Sequence, residues 1–218
     1  MKKVIKSVFQ IIESFFPHHC YLCDSENLLP VCEKCYTSLP DLKIQSIQKA
    51  REIDIYFQSL FTALPYSKPI QTLLHEIKFK NRKKLLEYIL SQLLFEFPEK
   101  YDLVTFVPIS LQRFSERGFN QAQVIASKIS KDLGIPIKSL LRKKNIKKQS
   151  QKNKKERFES LLYPPFQMKR KNKVKDSKIL LVDDILTTGA TLAGCAKVLK
   201  TFGAEVTGFA LIHADLLE

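Results

Sequence analysis

The stretch KILLVDDILTTGATLAG (residues 178–194) decides the fold. Its apolar run, Ile179-Leu180-Leu181-Val182, has the length of a strand buried on both faces. The run ends on two adjacent carboxylates, Asp183 and Asp184. A hydroxyl-rich turn, Thr187-Thr188-Gly189-Ala190-Thr191, then opens a helix through Leu192, Cys195, Ala196, Val198 and Leu199, with Gly203 as its stop. The first backbone N–H groups of a helix lack internal partners and lie at its positive end, so the turn is an anion cradle. Gly189 allows a close backbone approach, and threonine hydroxyls can donate to phosphate oxygens. The carboxylates cannot bind phosphate and must face hydroxyls or a metal. A ribose 5-phosphate group, with phosphate at one end and a diol at the other, satisfies both halves.

Working outward, residues 204–213 read as a strand parallel to 179–183, with the helix between them completing a βαβ unit. On the other side, YDLVTFV (residues 101–107) is a second buried strand, and Pro108-Ile109-Ser110 marks its carboxyl edge. The loop LQRFSERGFNQA (111–122) interleaves Arg113 and Arg117 with Phe114 and Phe119. Asn120 caps a helix over 121–133 that stops at Gly134. Ligands of open α/β sheets bind outside the carboxyl ends of the strands. This loop and the 183–191 turn should therefore line one edge, where arginines suit a second phosphate-rich group. The competing reading is a solvated loop whose arginines pair with Glu116.

Further upstream, 53–57 and 60–64 are short strand candidates. Ser67 and Pro69 signal a helix start. Apolar positions 70, 73, 74 and 77 predict a helix over 70–79. Leu85, Leu86, Ile89, Leu90, Leu93 and Leu94 predict another over 84–97, ended by Pro98.

Near the start, Cys20-x-x-Cys23 and Cys32-x-x-Cys35 have the spacing of a four-thiolate zinc site. Four sulfurs close a tetrahedron with no open position, so the role is structural and metal binding supplies folding free energy. Two disulfides are the alternative, but they need an oxidising compartment. The opening MKKVIKSVFQIIESFF is broken by Gln10 and Glu13 and lacks a small-residue cleavage site, against a signal peptide. Its apolar residues fit an amphipathic helix, packed on the protein or lying on a membrane surface as a peripheral association. No apolar run reaches the length of a span. The expected organisation is a helix and four-Cys zinc finger over 1–45 and an α/β domain over 46–218, with a basic flexible loop at about 142–177. Cys195 reads as packing.

The chain of 218 residues carries a formal net charge of +14, which points to an anionic partner or, more blandly, to a lysine-rich lineage. The charge concentrates in RKKNIKKQSQKNKKER (142–157), with nine basic residues and one acidic. Such a run is a flap over a polyanion, a nucleic-acid contact, or a solvated charge run.

VDDILTTGAT resembles the phosphoribosyl-pyrophosphate (PRPP) motif of type I phosphoribosyltransferases. The likeness runs further. The paired CxxC motifs, IKFKNRKKLL (77–86), VPISLQRFSERGFNQA (107–122) and the PRPP motif ending in GATLAGCAKVL follow in the order of the ComF (ComFC/GntX-like) competence family. The similarity covers nearly the whole chain, and RGFNQA is particular to that family. Gln149, Glu156 and Arg157 match its pattern after the basic loop; Ser160 departs from an expected Asn.

The resemblance implies an α/β, type I phosphoribosyltransferase-like parallel sheet flanked by helices, behind the zinc finger. Asp183 and Asp184 would contact the ribose hydroxyls and act as the catalytic pair if there is turnover. Thr187, Thr188, Gly189, Ala190 and Thr191 would hold the 5-phosphate. Pro108, Ile109 and Ser110 would form the pyrophosphate loop beside Arg113 and Arg117, with Mg²⁺ bridging pyrophosphate and diol. It further implies a cytoplasmic role in single-stranded DNA uptake during natural transformation, beside a helicase-like DNA translocase. The alternatives are a transferase of nucleotide metabolism and a zinc-dependent nucleic-acid binder with a vestigial PRPP site.

Overall fold

A computed structural model describes residues 18–41, 43–47, 54–143, 165–169 and 174–214. The helix expected over the first 16 residues and most of the basic run lie outside them. The described chain is built on a five-stranded sheet of order β3-β4-β9-β8-β5. Its strands are β3 (Gln45–Ser46), β4 (Leu60–Pro65), β5 (Leu103–Phe106), β8 (Lys178–Leu186) and β9 (Glu205–His213). β4, β9, β8 and β5 run parallel, whereas β3 joins the edge antiparallel to β4. The sheet is mixed where a parallel one was expected. An antiparallel edge strand on a parallel core is a common arrangement.

Alternation along β8 divides the core. Leu180 and Val182 pack on one face with α2 (Lys68–Phe79), α3 (Lys83–Ser91) and α5 (Gln121–Leu133). Ile179 and Leu181 pack on the other with α6 (Ala190–Thr201). Both faces are thus covered, as the continuous apolar run demands. Off the fifth strand, Val104 N–H donates to Pro136 O and Lys138 N–H to Val104 O, extending the sheet by a short bridge.

Three local expectations change. Asp54–Tyr56 forms a 3₁₀ turn, not a strand. Ser67 occupies the N-cap position of α2, but its hydroxyl makes no capping bond and is buried without a partner among the described residues. α3 ends at Ser91, six residues before Phe97. Beyond it Leu93 and Phe95 are buried while Leu94 is 70% exposed, the period-two pattern of extended chain.

The ends of the basic stretch are also ordered. β6 (Leu141–Lys143) pairs antiparallel with β7 (Phe166–Met168), with Leu141 opposite Met168 and Lys143 opposite Phe166. Leu141 and Phe166 are buried against the α6 side of the core. The basic run therefore springs from a two-stranded base fixed to the domain.

At the other end of the chain, β1 (His18–His19) and β2 (Glu26–Asn27) form a short antiparallel pair, followed by the single-turn α1 (Glu33–Tyr36). Cys20 and Val31 are buried in the same core cluster as Ile77 and Leu85. This unit is seated on the α2–α3 connection.

Candidate functional site

β8 continues through the acidic pair to Leu186, so Asp183 and Asp184 are strand residues and point to opposite faces. Asp184 faces the α2 side, where its Oδ2 meets Lys78 Nζ at 2.9 Å with both side chains only 16% exposed. Asp183 faces the α6 side, and its Oδ1 accepts the Asp184 amide at 2.9 Å. The pair thus straddles the end of the sheet. Both nevertheless line one cavity of about 240 Å³.

Past Leu186 the chain turns into α6. Gly189 holds φ 74°, a left-handed conformation that a side chain would strain, and its carbonyl accepts the first helical bond, from Ala193. The Ala190 amide reaches Thr188 Oγ1 at 3.4 Å. Thr187 and Thr191 line the cavity, while Thr188, Gly189 and Ala190 build the turn itself.

The opposite wall comes from the β5 end. Val107 N–H donates to Val182 O, setting residues 107–109 alongside the acidic pair. Pro108 and Ile109 line the cavity. Ser110 instead caps α4 (Leu111–Arg117), its Oγ accepting from Arg113 N at 3.2 Å. The segment expected as a loop is therefore a helix, and the four-residue spacing of Arg113 and Arg117 stacks both on one side, facing the cavity. Gly118 at φ 67° ends α4. Asn120, buried, donates to Val107 O at 2.9 Å and accepts from Ala122 N at 3.1 Å. One side chain thus caps α5 and ties it to the strand end.

Among the lining residues without a site role in the sequence reading, three carry side chains able to donate to a ligand and have no capping role: Lys78, Lys143 and Gln121. Lys78 follows the buried Ile77 of α2, and no local signal marks it as a site residue. Lys143 comes from β6, so the base of the basic run reaches the site. Ser110, Arg142, Gln167 and Lys169 border a neighbouring cavity of about 750 Å³ that shares Pro108, Ile109, Asn120 and Lys143 with the first.

Away from the cradle, the sulfurs of Cys20, Cys23, Cys32 and Cys35 all lie within 4.8 Å of one another. Cys23 and Cys32 are 3.7 Å apart, close to the edge of a tetrahedron of zinc–sulfur bonds of about 2.3 Å. The Cys32 amide donates to Cys20 Sγ at 3.4 Å, and Ser25 Oγ lies 3.1 Å from Cys23 Sγ. The Ser25 contacts pull the Cys23 thiol down to about 6, while hydrogen bonding to Cys23 pushes Cys35 up to about 12. A cluster of convergent thiols that share protons in this way could bind a metal such as zinc, which would displace them.

The Phosphoribosyl transferase domain family model matches residues 116–216. Competence protein ComFC of Streptococcus pneumoniae is 31% identical over 84% of this chain and 80% of its own length. The chain belongs to the ComF family. Competence protein ComFC of Bacillus subtilis is 28% identical over 98% of this chain and 85% of its own. DNA utilization protein YhgH of Escherichia coli K12 is 27% identical over 68% of each chain.

In this ComF-family chain, burial and then the neighbouring Asp184 charge push the Asp183 carboxyl well above its ordinary range, with the Lys78 ammonium acting against them. The cavity walls carry four cationic side chains, Lys78, Arg113, Arg117 and Lys143, against two carboxylates. That set can hold an anion along one side and hydroxyls or a hard cation at the acidic pair. Among the described residues, no helix is long and apolar enough to cross a membrane.

Proposed function

We propose that this chain binds PRPP together with Mg²⁺ in the β8–β5 cavity and takes part in single-stranded DNA uptake during natural transformation, in the cytoplasm beside a helicase-like DNA translocase. The observation that carries the reading is the convergence around one small cavity of both carboxylates, two threonines and four cations from five separate elements. Asp183 and Asp184 take the ribose hydroxyls. Thr187, Thr191 and the backbone of the 187–191 turn take the 5-phosphate, with Thr188, Gly189 and Ala190 shaping it. Pro108, Ile109, Arg113 and Arg117 flank the pyrophosphate, and Ser110 holds α4 in register. Bound Mg²⁺ would offset the pyrophosphate charge next to the acidic pair. The four thiolates take a structural zinc. Relatives named for competence and for DNA utilization, together with the charge of +14, support the nucleic-acid side of the reading.

Calorimetry with PRPP and Mg²⁺ tests the cradle. Wild type should bind, and Asp184→Asn should bind at least tenfold more weakly on the loss of a charged hydrogen-bond acceptor. No heat of binding with wild type would defeat the proposal.

A second reading is a true phosphoribosyltransferase, favoured by the neighbouring cavity, which offers an acceptor room beside the cradle. The acceptor nucleophile would form a bond to ribose C1 as the C1–O bond to pyrophosphate breaks. Asp183 or Asp184 would stabilise the positive charge developing on the ring. Pyrophosphate release on mixing PRPP with candidate acceptors separates turnover from binding alone.

A further inference from the structure

Gln121 is the first residue of α5 and lines the cradle cavity, yet it is only 2% exposed. Its Oε1 accepts from Arg117 at 3.3 Å, which fixes the orientation of the amide because a guanidinium can only donate. The other end, Nε2, is buried and has no hydrogen-bond partner among the described residues. A buried donor without an acceptor is unfavourable, and native chains keep few of them without a functional reason. The small void that Gln121 also borders does not explain it. That void is otherwise walled by apolar side chains and Asp184, whose carboxylate already meets Lys78.

We infer that Gln121 is a ligand-contact residue, whose Nε2 donates to an anionic oxygen of the pyrophosphate group and is aimed there by Arg117. The inference rests on the PRPP reading and deepens it. A donor with both hydrogens unused requires an acceptor. Arg113 and Arg117, on the adjoining helix, line the same cavity and select a negatively charged one. Gln121 begins the helix that Asn120 ties to Val107, so it belongs to the pyrophosphate wall and not to the Thr187–Thr191 turn. The terminal amide torsion is broad, so a small rotation can bring Nε2 to a ligand oxygen while Oε1 keeps its bond from Arg117.

The test compares wild type, Gln121→Leu and Gln121→Glu for binding of PRPP with Mg²⁺, inorganic pyrophosphate and ribose 5-phosphate, alongside ligand-free thermal midpoints. Gln121→Leu should keep a midpoint at or above that of wild type, since it removes an unpaired buried donor. It should lose roughly tenfold in affinity for PRPP and pyrophosphate and bind ribose 5-phosphate as before. Gln121→Glu keeps the acceptor for Arg117 but replaces the donor with a negative charge, and should lose more. A falling midpoint with unchanged pyrophosphate affinity in either variant overturns the inference and leaves the PRPP reading standing. Equal losses for all three ligands overturn the placement at the pyrophosphate. Failure of wild type to bind either PRPP or pyrophosphate overturns both. Where the Leu variant does not fold, the Glu variant decides.

Discussion

Lys78, near the end of α2, and Asp184, on β8, meet at 2.9 Å with both side chains 16% exposed. The ion pair holds a helix to the sheet at the rim of the cradle, and it neutralises one of two adjacent carboxylates. Removing a single partner from a mostly buried pair strands the other charge. Lys78→Met leaves Asp183 and Asp184 side by side without that cation. It should lower stability by about 2–3 kcal/mol, less than for a fully buried pair because both side chains keep some contact with water. Asp184→Asn keeps the shape and an acceptor for Lys78 and should cost less. Urea denaturation of both variants checks the order; equal costs would mean the pair is not coupled to Asp183.

Asp183 carries a pH signature. Its folded pKa is raised, by burial first and by Asp184 second. The folded chain therefore holds this proton at pH values where the unfolded chain, near the ordinary value of about 4, has released it. Stability from this group is complete below the unfolded value and declines as pH rises through the folded one. Asp183→Asn removes the dependence, retains an oxygen for the Asp184 amide, and should be the more stable protein at neutral pH while binding PRPP poorly. Denaturation midpoints taken across pH 4 to neutrality would show wild type falling relative to the variant. Parallel curves would refute the assignment.

What was legible in the sequence follows from how local each signal is. The 178–194 stretch could be read because strand, turn and helix start are contiguous, and the same holds for Asn120 and Gly134 at the two ends of α5. Lys78 could not be read, since its role depends on α2 crossing the sheet beside β8, a contact between residues far apart in the chain. α4 was hidden because its seven residues bury no side chain, so no apolar stripe marks it; Ser110 three positions before Arg113 was the local cue. The overlong α3 came from counting Leu94 with its neighbours, where alternate burial of Leu93 and Phe95 takes over from the helical period. The opposite-face placement of Asp183 and Asp184 follows only once the strand is known to run on to Leu186.

The basic surface makes a salt-dependent prediction. Nine basic residues lie within 142–157, and Lys143 at the base of that run lines the cradle. Each phosphate contact releases counterions, so affinity for single-stranded DNA should drop by at least tenfold between about 50 mM and about 200 mM salt. Replacing Lys147, Lys148, Lys152, Lys154 and Lys155 with Ser removes five of those nine positive charges and should flatten that dependence. Filter binding at the two salt concentrations reads the slope. An affinity indifferent to salt would rule out phosphate contacts by this run.

The four-cysteine unit should affect the cradle through the α2–α3 turn. Arg82 lies over the Tyr21 ring at 5.5 Å, and Glu76, Lys80 and Arg82 border a groove shared with residues 19–24. In the same turn Asn81 holds a left-handed φ of 56° and donates to Glu116 O on α4 at 3.3 Å. The turn is thus held between the cysteine unit on one side and the helix of Arg113 and Arg117 on the other, and it begins two residues after Lys78. Metal analysis should find about one zinc per chain. Cys32→Ser should lose that zinc, lower the melting temperature, and weaken PRPP binding, although its sulfur lies outside the cradle. Tyr21→Leu keeps the thiolates and should retain zinc while showing a smaller loss of affinity, on the scale of one exposed cation–π contact of about 0.5–1 kcal/mol. Full PRPP affinity in a zinc-free but folded Cys32→Ser protein would show that the two sites act independently.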